Sequence, residues 1–293
     1  MPFMKGTQNK WIYLTILSIV WGSSFILIKK GLDGLTPLQL GSLRILFGAV
    51  FLLLIGFRSL KKISRKDWKW LVVTAFIGTF IPAFLFAFAE TEIDSGITSL
   101  LNSTTPIMAL ILGATFFAIG FSANQLVGVI VGLIGSVLLI WSGSDVNPDQ
   151  NYWYSGLVLL SSVCYAFNVN IIKKHLQELP AVAIAAGNFA VLVIPAFGVL
   201  LFSDFFNEET LAAKETHVAL GYIVLLAVVG TGVAKILFNK LVQISAPVFA
   251  TSVTYTIPII ALFWGLLDGE HFTVIQLGAA GVILLGVVLS NRN

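Results

Sequence analysis

The sequence predicts an all-α integral membrane protein, with ten transmembrane helices in two inverted five-helix repeats. Three observations carry this expectation. Apolar residues make up 57% of the chain and charged ones only 11%, with a mean hydropathy of +0.95, whereas a soluble domain carries roughly 25% charged residues. Ten apolar runs recur along the 293 residues, each near the roughly 20 residues that a hydrocarbon core about 30 Å thick demands of a helix. The two halves also repeat one another at matched positions.

Backbone N–H and C=O groups in lipid must be satisfied within the segment, so runs of this length are read as helices. The first, 11–28, is too long for the apolar part of a secretory signal and nine more follow it, so it is read as a retained helix. The second, 38–57, opens after Pro37 and closes at the basic loop 58–69; the third, 70–89, ends at the acidic cluster Glu90, Glu92 and Asp94. The fourth, 96–119, and ninth, 246–267, carry Pro106 and Pro258 near midspan, where the lost backbone hydrogen bond frees a carbonyl to kink the helix or meet a substrate. The fifth, 124–142, has Gly128, Gly132 and Gly135, and the tenth, 272–290, has Gly278 and Gly281. Close helix approach is the preferred reading of these glycines, and a homodimer contact is the second. The sixth, 152–172, seventh, 181–202, and eighth, 218–242, complete the set, and 203–217 reads as a solvated link. Cys164 is the only cysteine; no disulfide or Cys-rich metal site can be built from it, and no cofactor is expected.

Orientation follows from Lys and Arg near the run ends. With the N-terminus cytoplasmic, that side holds Lys5, Lys10, Arg58, Lys61, Lys62, Arg65, Lys66, Lys69, Lys173, Lys174, Lys240, Arg292 and, near it, Lys235, against Lys29, Lys30 and Lys214 opposite. Of the 14 acids, only Asp67 and Glu178 fall inside. Both termini are therefore expected in the cytoplasm of a cell membrane protein. The net charge of +3 is distributed by sidedness and not as a nucleic-acid footprint, so the expected partners are the lipid bilayer and a small-molecule substrate.

The repeat is specific. The stretch from Ile19-Val20-Trp21-Gly22 to Lys29-Lys30 lies over Val163-Cys164-Tyr165-Ala166 to Lys173-Lys174 at a shift of 144. Gly78-Thr79 lies over Gly230-Thr231, and Thr104-Thr105-Pro106 over Thr256-Ile257-Pro258, at a shift of 152; Phe121 and Gln125 match Phe272 and Gln276. Five spans in each half, 1–145 and 146–293, force matched segments to cross in opposite directions, which puts Lys29-Lys30 outside and Lys173-Lys174 inside. Inverted repeats of this kind are typical of secondary transporters, whose halves rock about a midplane site.

Val20-Trp21-Gly22-Ser23-Ser24-Phe25, Thr104-Thr105-Pro106 and Leu267-Asp268-Gly269-Glu270, inside a five-plus-five repeat, resemble the EamA-type family of the drug/metabolite transporter superfamily. The resemblance covers nearly the whole chain. It implies a ten-helix carrier with cytoplasmic termini, similar to exporters of amino acids and other metabolites, with a central cavity lined mainly by the first, third, fourth, sixth, eighth and ninth helices. Two departures stand out. The acidic residue that usually closes the fourth helix is absent at Ala118-Ile119-Gly120, which weakens Glu270 as part of a shared mechanism, and Lys235 stands where similar proteins carry an aromatic or small residue.

Polar stripes at helical spacing mark the candidate substrate site. They comprise Ser99, Asn102, Ser103 and Pro106 on the fourth helix and Thr251, Thr254, Tyr255 and Pro258 on the ninth; Ser18, Trp21 and Ser24 on the first match Ser162, Tyr165 and Asn168 on the sixth. Helix packing is the preferred reading for the Ser and Thr hydroxyls, while Trp21, Asn102, Tyr165, Asn168 and Tyr255 need larger partners or space. Thr231, Lys235 and Asn239 recur every fourth residue, presenting hydroxyl, ammonium and amide to an anionic substrate group; the alternative is a Lys235 that snorkels to the headgroups. Arg44 is expected to snorkel or to pair with Glu90, Glu92 or Asp94.

An enzyme is disfavoured because His175, His217 and His271 lie in loops or at run ends and no run contains Asp or Glu. The same inventory offers no obvious proton relay, and no phosphate-binding loop for nucleotide hydrolysis, so facilitated flux or exchange is expected. A receptor or assembly protein without transport activity is the alternative. Sidedness is tested by placing a cysteine at Lys62 in a Cys164→Ser background. An impermeant thiol reagent should label it only after the membrane is opened; labelling of intact cells would reverse the orientation.

Overall fold

The computed structural model describes residues 3–118, 123–146, 150–245 and 247–290. The readings made at Ile119, Gly120, Phe121, Ala246 and Arg292, and the loop around Asn147, lie outside these residues. Helices follow the predicted runs and mostly extend past them. They are α1 (Phe3–Leu32), α2 (Pro37–Gly56, continued by Phe57–Lys62) and α3 (Arg65–Ala75, Phe76–Phe80 and Ile81–Ala89). Then come α4 (Ser95–Asn102 and Thr105–Phe117), α5 (Ala123–Val146), α6 (Ser155–His175) and α7 (Ala181–Leu201). The last are α8 (Lys214–Leu225, Leu226–Val233 and Ala234–Ile244), α9 (Pro247–Thr251, Ser252–Tyr255 and Ile257–Leu267) and α10 (Val274–Ser290). No strand occurs among the described residues. Among the described residues, all but α5 and α10 belong to segments long and apolar enough to cross a membrane, 8 in total. In α5 and α10 the apolar stretches described are the shorter Leu126–Leu139 and Val274–Gly286.

Local sequence explains where these helices begin and break. Thr36 caps α2 reciprocally with Gln39, the Gln39 N–H donating to Thr36 Oγ1 at 3.4 Å and the Thr36 N–H to Gln39 Oε1 at 3.0 Å, with Pro37 in the first turn. Pro106 and Pro258 occupy the first turns of the second halves of α4 and α9, so both helices are interrupted just before them. Two further interruptions follow; Pro82 stands in the first turn after the one in α3, and no proline stands near the one in α8. Phe76–Phe80 in α3 and Leu226–Val233 in α8 are π-helical, and they contain the matched pairs Gly78-Thr79 and Gly230-Thr231.

Packing crosses between the halves: α1 lies against α8 and α9, α6 against α3 and α4, α2 against α7, and α5 against α10. Gly132 and Gly135 make the α5–α10 contact close, as predicted for α5. A Cβ at Gly135 would lie 2.7 Å from the Ile283 nitrogen. The α10 partner, however, is Gly286, whose added Cβ would lie 2.3 Å from the Gly132 nitrogen, while Gly278 and Gly281 face open space. Leu54, Ile194 and Val274, at 80%, 82% and 85% exposure, point away from the bundle, as lipid-facing side chains do. The connection after α7 is more than a solvated link. Ser203 and Phe205 are buried, the Ser203 carbonyl accepts from Gln39 Nε2 at 2.8 Å, and Glu208–Ala212 forms a helical turn.

Polar clusters close the bundle at the two ends of α4. At its start, the buried Glu270 accepts from the Ser95 N–H and hydroxyl and the Gly96 N–H at 3.2, 2.6 and 3.2 Å, capping the helix. The Lys29 ammonium reaches Glu270 at 2.9 Å and Asp268 at 2.8 Å, and Lys30 also pairs with Asp268. Burial alone would raise Asp268, but the two ammonium groups outweigh it and hold its carboxyl below the usual range. Glu270 thus ties α1, α4 and the α9–α10 connection together. Near the far end of α4, Lys174 lies over the Phe117 ring at 5.5 Å, and Lys173 donates to the carbonyls of Val242, Gln243 and Ser245 that close α8.

Two stability effects follow. Glu270→Gln leaves Lys29 without its buried partner and removes the charged cap, so thermal unfolding in detergent should show a loss of about 3 kcal/mol. Gly286→Leu drives a side chain into the α5 backbone and should cost about 1–3 kcal/mol, whereas Gly281→Leu should be near neutral by the same measurement.

Candidate substrate cavity

The interruptions in α3 and α8 build the site. A π turn shifts the backbone from i→i+4 to i→i+5 pairing and so leaves a carbonyl for another partner. In α3 that is the Gly78 carbonyl, whose usual donor four residues on would be Pro82, which has no N–H, and it accepts from the Lys235 ammonium. In α8 it is the Gly230 carbonyl, which accepts from Trp21 Nε1 at 3.0 Å. At both places a neighbouring side chain lies where a Cβ would stand, so any larger residue must displace it. Asn168 Oδ1 would be 2.3 Å from one at Gly78, and Ser24 Oγ 2.7 Å from one at Gly230. Asn168 and Ser24 are themselves related by the shift of 144.

Between these helices lies a cavity of about 100 Å³, room for several waters at roughly 10–15 Å³ each. Of the candidate residues, Trp21, Ser24, Asn102, Tyr165, Asn168, Thr231, Lys235 and Thr254 line it. Apolar walls come from Phe25, Phe86, Phe238 and Ile257; Tyr165 stacks on Phe86 with centroids 6.1 Å apart, and Trp21 lies 5.0 Å from Phe238. All six helices that the family resemblance implies contribute, and α2 joins them through Arg44 and Ile45.

Asn239 and Tyr255 are not among the lining residues. Each four-residue step on an α-helix overshoots a full turn by about 40°, so two steps rotate Asn239 away from Thr231. Its side-chain nitrogen donates instead to the Ala181 carbonyl of α7 at 3.5 Å. Tyr255, half-buried, packs against Ile107 and Leu110 of α4. Most Ser and Thr hydroxyls of the polar stripes donate to carbonyls one turn back in their own helix, as Ser24 does to Val20 at 2.9 Å and Thr254 to Thr251 at 2.9 Å.

Of the two cations, Lys235 follows the favoured reading and Arg44 differs from expectation. Lys235 does not snorkel: it is 8% exposed and its ammonium is held by the α3 carbonyl. Arg44 neither snorkels nor makes an ion pair among the described residues; its Nε donates to Thr231 Oγ1 at 2.8 Å and it faces the cavity. Thr231 lies one turn before Lys235, so both positive groups address the same region. No carboxylate lines the cavity among the described residues. Thr79 Oγ1 and Asn168 Oδ1 have no hydrogen-bond partner among the described residues. The matched Gly-Thr pairs were the available signal for Gly78, Thr79 and Gly230, whereas nothing in the local pattern around Arg44 set it apart from a residue near a helix end.

Comparison with known proteins agrees with this architecture. The model of the EamA-like transporter family matches residues 9–141 and again 153–292. The chain is 30% identical to the "Uncharacterized inner membrane transporter YedA" of Escherichia coli strain K12, over 94% of this chain and 88% of that protein. It is 26% identical to the "Probable amino-acid metabolite efflux pump" of Salmonella typhimurium, over 94% and 92%. A solved structure titled "Crystal structure of protein" superposes with a TM-score of 0.68 over 97% of this chain and 96% of that one, at 14% identity, a likeness of fold. The chain is a multi-pass membrane protein and belongs to the EamA-like transporter family.

Proposed function

We propose that the protein is a secondary transporter that exports small metabolites bearing an anionic group, amino acids or organic acids, through alternating access to this cavity. One observation carries the reading: Arg44 and Lys235 converge on a cavity that, among the described residues, no carboxylate lines. Unpaired cations in a low-dielectric interior are costly, and a substrate carboxylate supplies the missing charge. Trp21, Tyr165 and Phe86 offer walls to an apolar portion of the solute. Export is supported by the efflux assigned in name to the relative from Salmonella typhimurium.

The proposed frame is ten crossings in two inverted halves, 1–145 and 146–293, with both termini cytoplasmic. Support comes from features related by the same shifts: π turns at Gly78 and Gly230, glycine contacts to Asn168 and Ser24, and breaks before Pro106 and Pro258. The two family matches fall one in each half. Helices α5 and α10, about 36 and 26 Å long at 1.5 Å per residue, complete the count by pairing with each other at the edge.

Flux of labelled amino acids and organic acids into vesicles containing the purified chain tests the reading. Movement should occur down a solute gradient without nucleotide. Lys235→Met and Arg44→Met each remove a charged hydrogen bond worth about 1.5–3 kcal/mol, so flux at low substrate should fall about tenfold or more while the variants remain folded. Lys240→Met should have little effect. Wild-type flux in both cavity variants would remove the anion-site reading.

A further inference from the structure

Glu90 lies one residue beyond the third apolar run, at the last turn of α3, yet it is only 8% exposed. Neither carboxylate oxygen has a hydrogen-bond partner, and no cation lies within ion-pair distance of it, among the described residues. Its backbone N–H donates to the carbonyl of Phe86, a cavity wall, at 3.0 Å. It therefore stands one helical turn from the substrate site, without itself lining that site.

An ionised carboxylate buried with no donor is among the least favourable arrangements in a protein interior, and protonation relieves it. The charges acting on Glu90 come from three elements: Glu270 in the α9–α10 connection, Arg44 on α2 and Lys29 on α1. Helix α6, which also packs on this part of α3, brings the Tyr165 phenol near Arg44. Glu270 opposes ionisation of Glu90. Lys29 is already engaged by Glu270 and Asp268. Arg44, whose hydrogen bond in the cavity among the described residues is to a neutral hydroxyl, is the cation acting on Glu90 whose charge remains uncommitted.

We propose that Glu90 is a proton-binding site governed by Arg44, so that an anion seated on Arg44 draws a proton onto Glu90. The sign follows from the charges. Free Arg44 stabilises the ionised carboxylate; an anion on Arg44 cancels that field and leaves the protonated form favoured. Anion and proton thus bind together, and anion affinity falls as pH rises through the Glu90 titration. The coupling to substrate rests on the anion-site reading of the cavity, but the proton site itself does not.

Infrared titration of the purified full-length chain, following the carbonyl stretch of protonated carboxyls, tests both parts without a ligand. Wild type should show a titrating band that Glu90→Gln lacks and Glu90→Asp restores. Arg44→Gln removes the positive charge that a bound anion would cancel, and should move the midpoint up by about one pH unit or more. Absence of any band specific to Glu90, or a midpoint unmoved by Arg44→Gln, overturns the proposal. If the band and its shift are present while Arg44→Met and Lys235→Met transport normally, the proton site stands and the anion-site reading alone fails.

Discussion

A hydrocarbon surrounding leaves the backbone no water to bond, so each helix must satisfy its own N–H and C=O groups or find protein partners for them. Everything distinctive about the cavity follows from where that rule is relaxed. The π turns at Gly78-Thr79, with Pro82 just beyond, and at Gly230-Thr231 loosen the backbone, and Lys235 and Trp21 bond to the carbonyls of Gly78 and Gly230. Irregular backbone is thereby confined to the centre of the bundle, where it faces a cavity and not lipid. The same turns bring α3 against α6 and α8 against α1, joining the halves at their polar faces.

Around that centre the bundle is held unevenly. One end of α4 is closed by charge, with Lys29 and Lys30 gathered by Asp268 and Glu270 and Glu270 capping the helix. The other end uses weaker contacts, Lys174 over Phe117 and Lys173 on the carbonyls of α8. The missing acid near Ala118 accounts for the difference, because Lys173 has no carboxylate to reach there. An ion-paired end and a carbonyl-capped end respond differently to ionic strength.

Much of this was legible in the sequence. Run length and hydropathy located the helices, Pro106 and Pro258 marked the breaks, and the shifts of 144 and 152 paired Ser24 with Asn168 and Gly78 with Gly230. Eight of ten candidate residues line the cavity because polar side chains at helical spacing avoid lipid. The misses have specific causes. Asn239 was placed by a four-residue period that a 3.6-residue helix does not keep, and Tyr255 by a stripe that turns toward α4. Arg44 and Glu90 were judged by distance along the chain from a span end, whereas their surroundings are set by helices more than a hundred residues away, α8 and the α9–α10 connection. Glu270 looked like a remnant of a shared acidic motif; its work as the cap of α4 depends on a loop that sequence spacing cannot fold.

The central claim is that the cavity selects solutes by their negative charge and passes them across the bilayer. The most direct test is uptake by vesicles of the purified chain, free of nucleotide, comparing labelled carboxylates with their matched neutral amides. Saturable uptake of carboxylates, with the amides excluded, is the predicted result. Equal uptake of both, or uptake that required nucleotide, would contradict it.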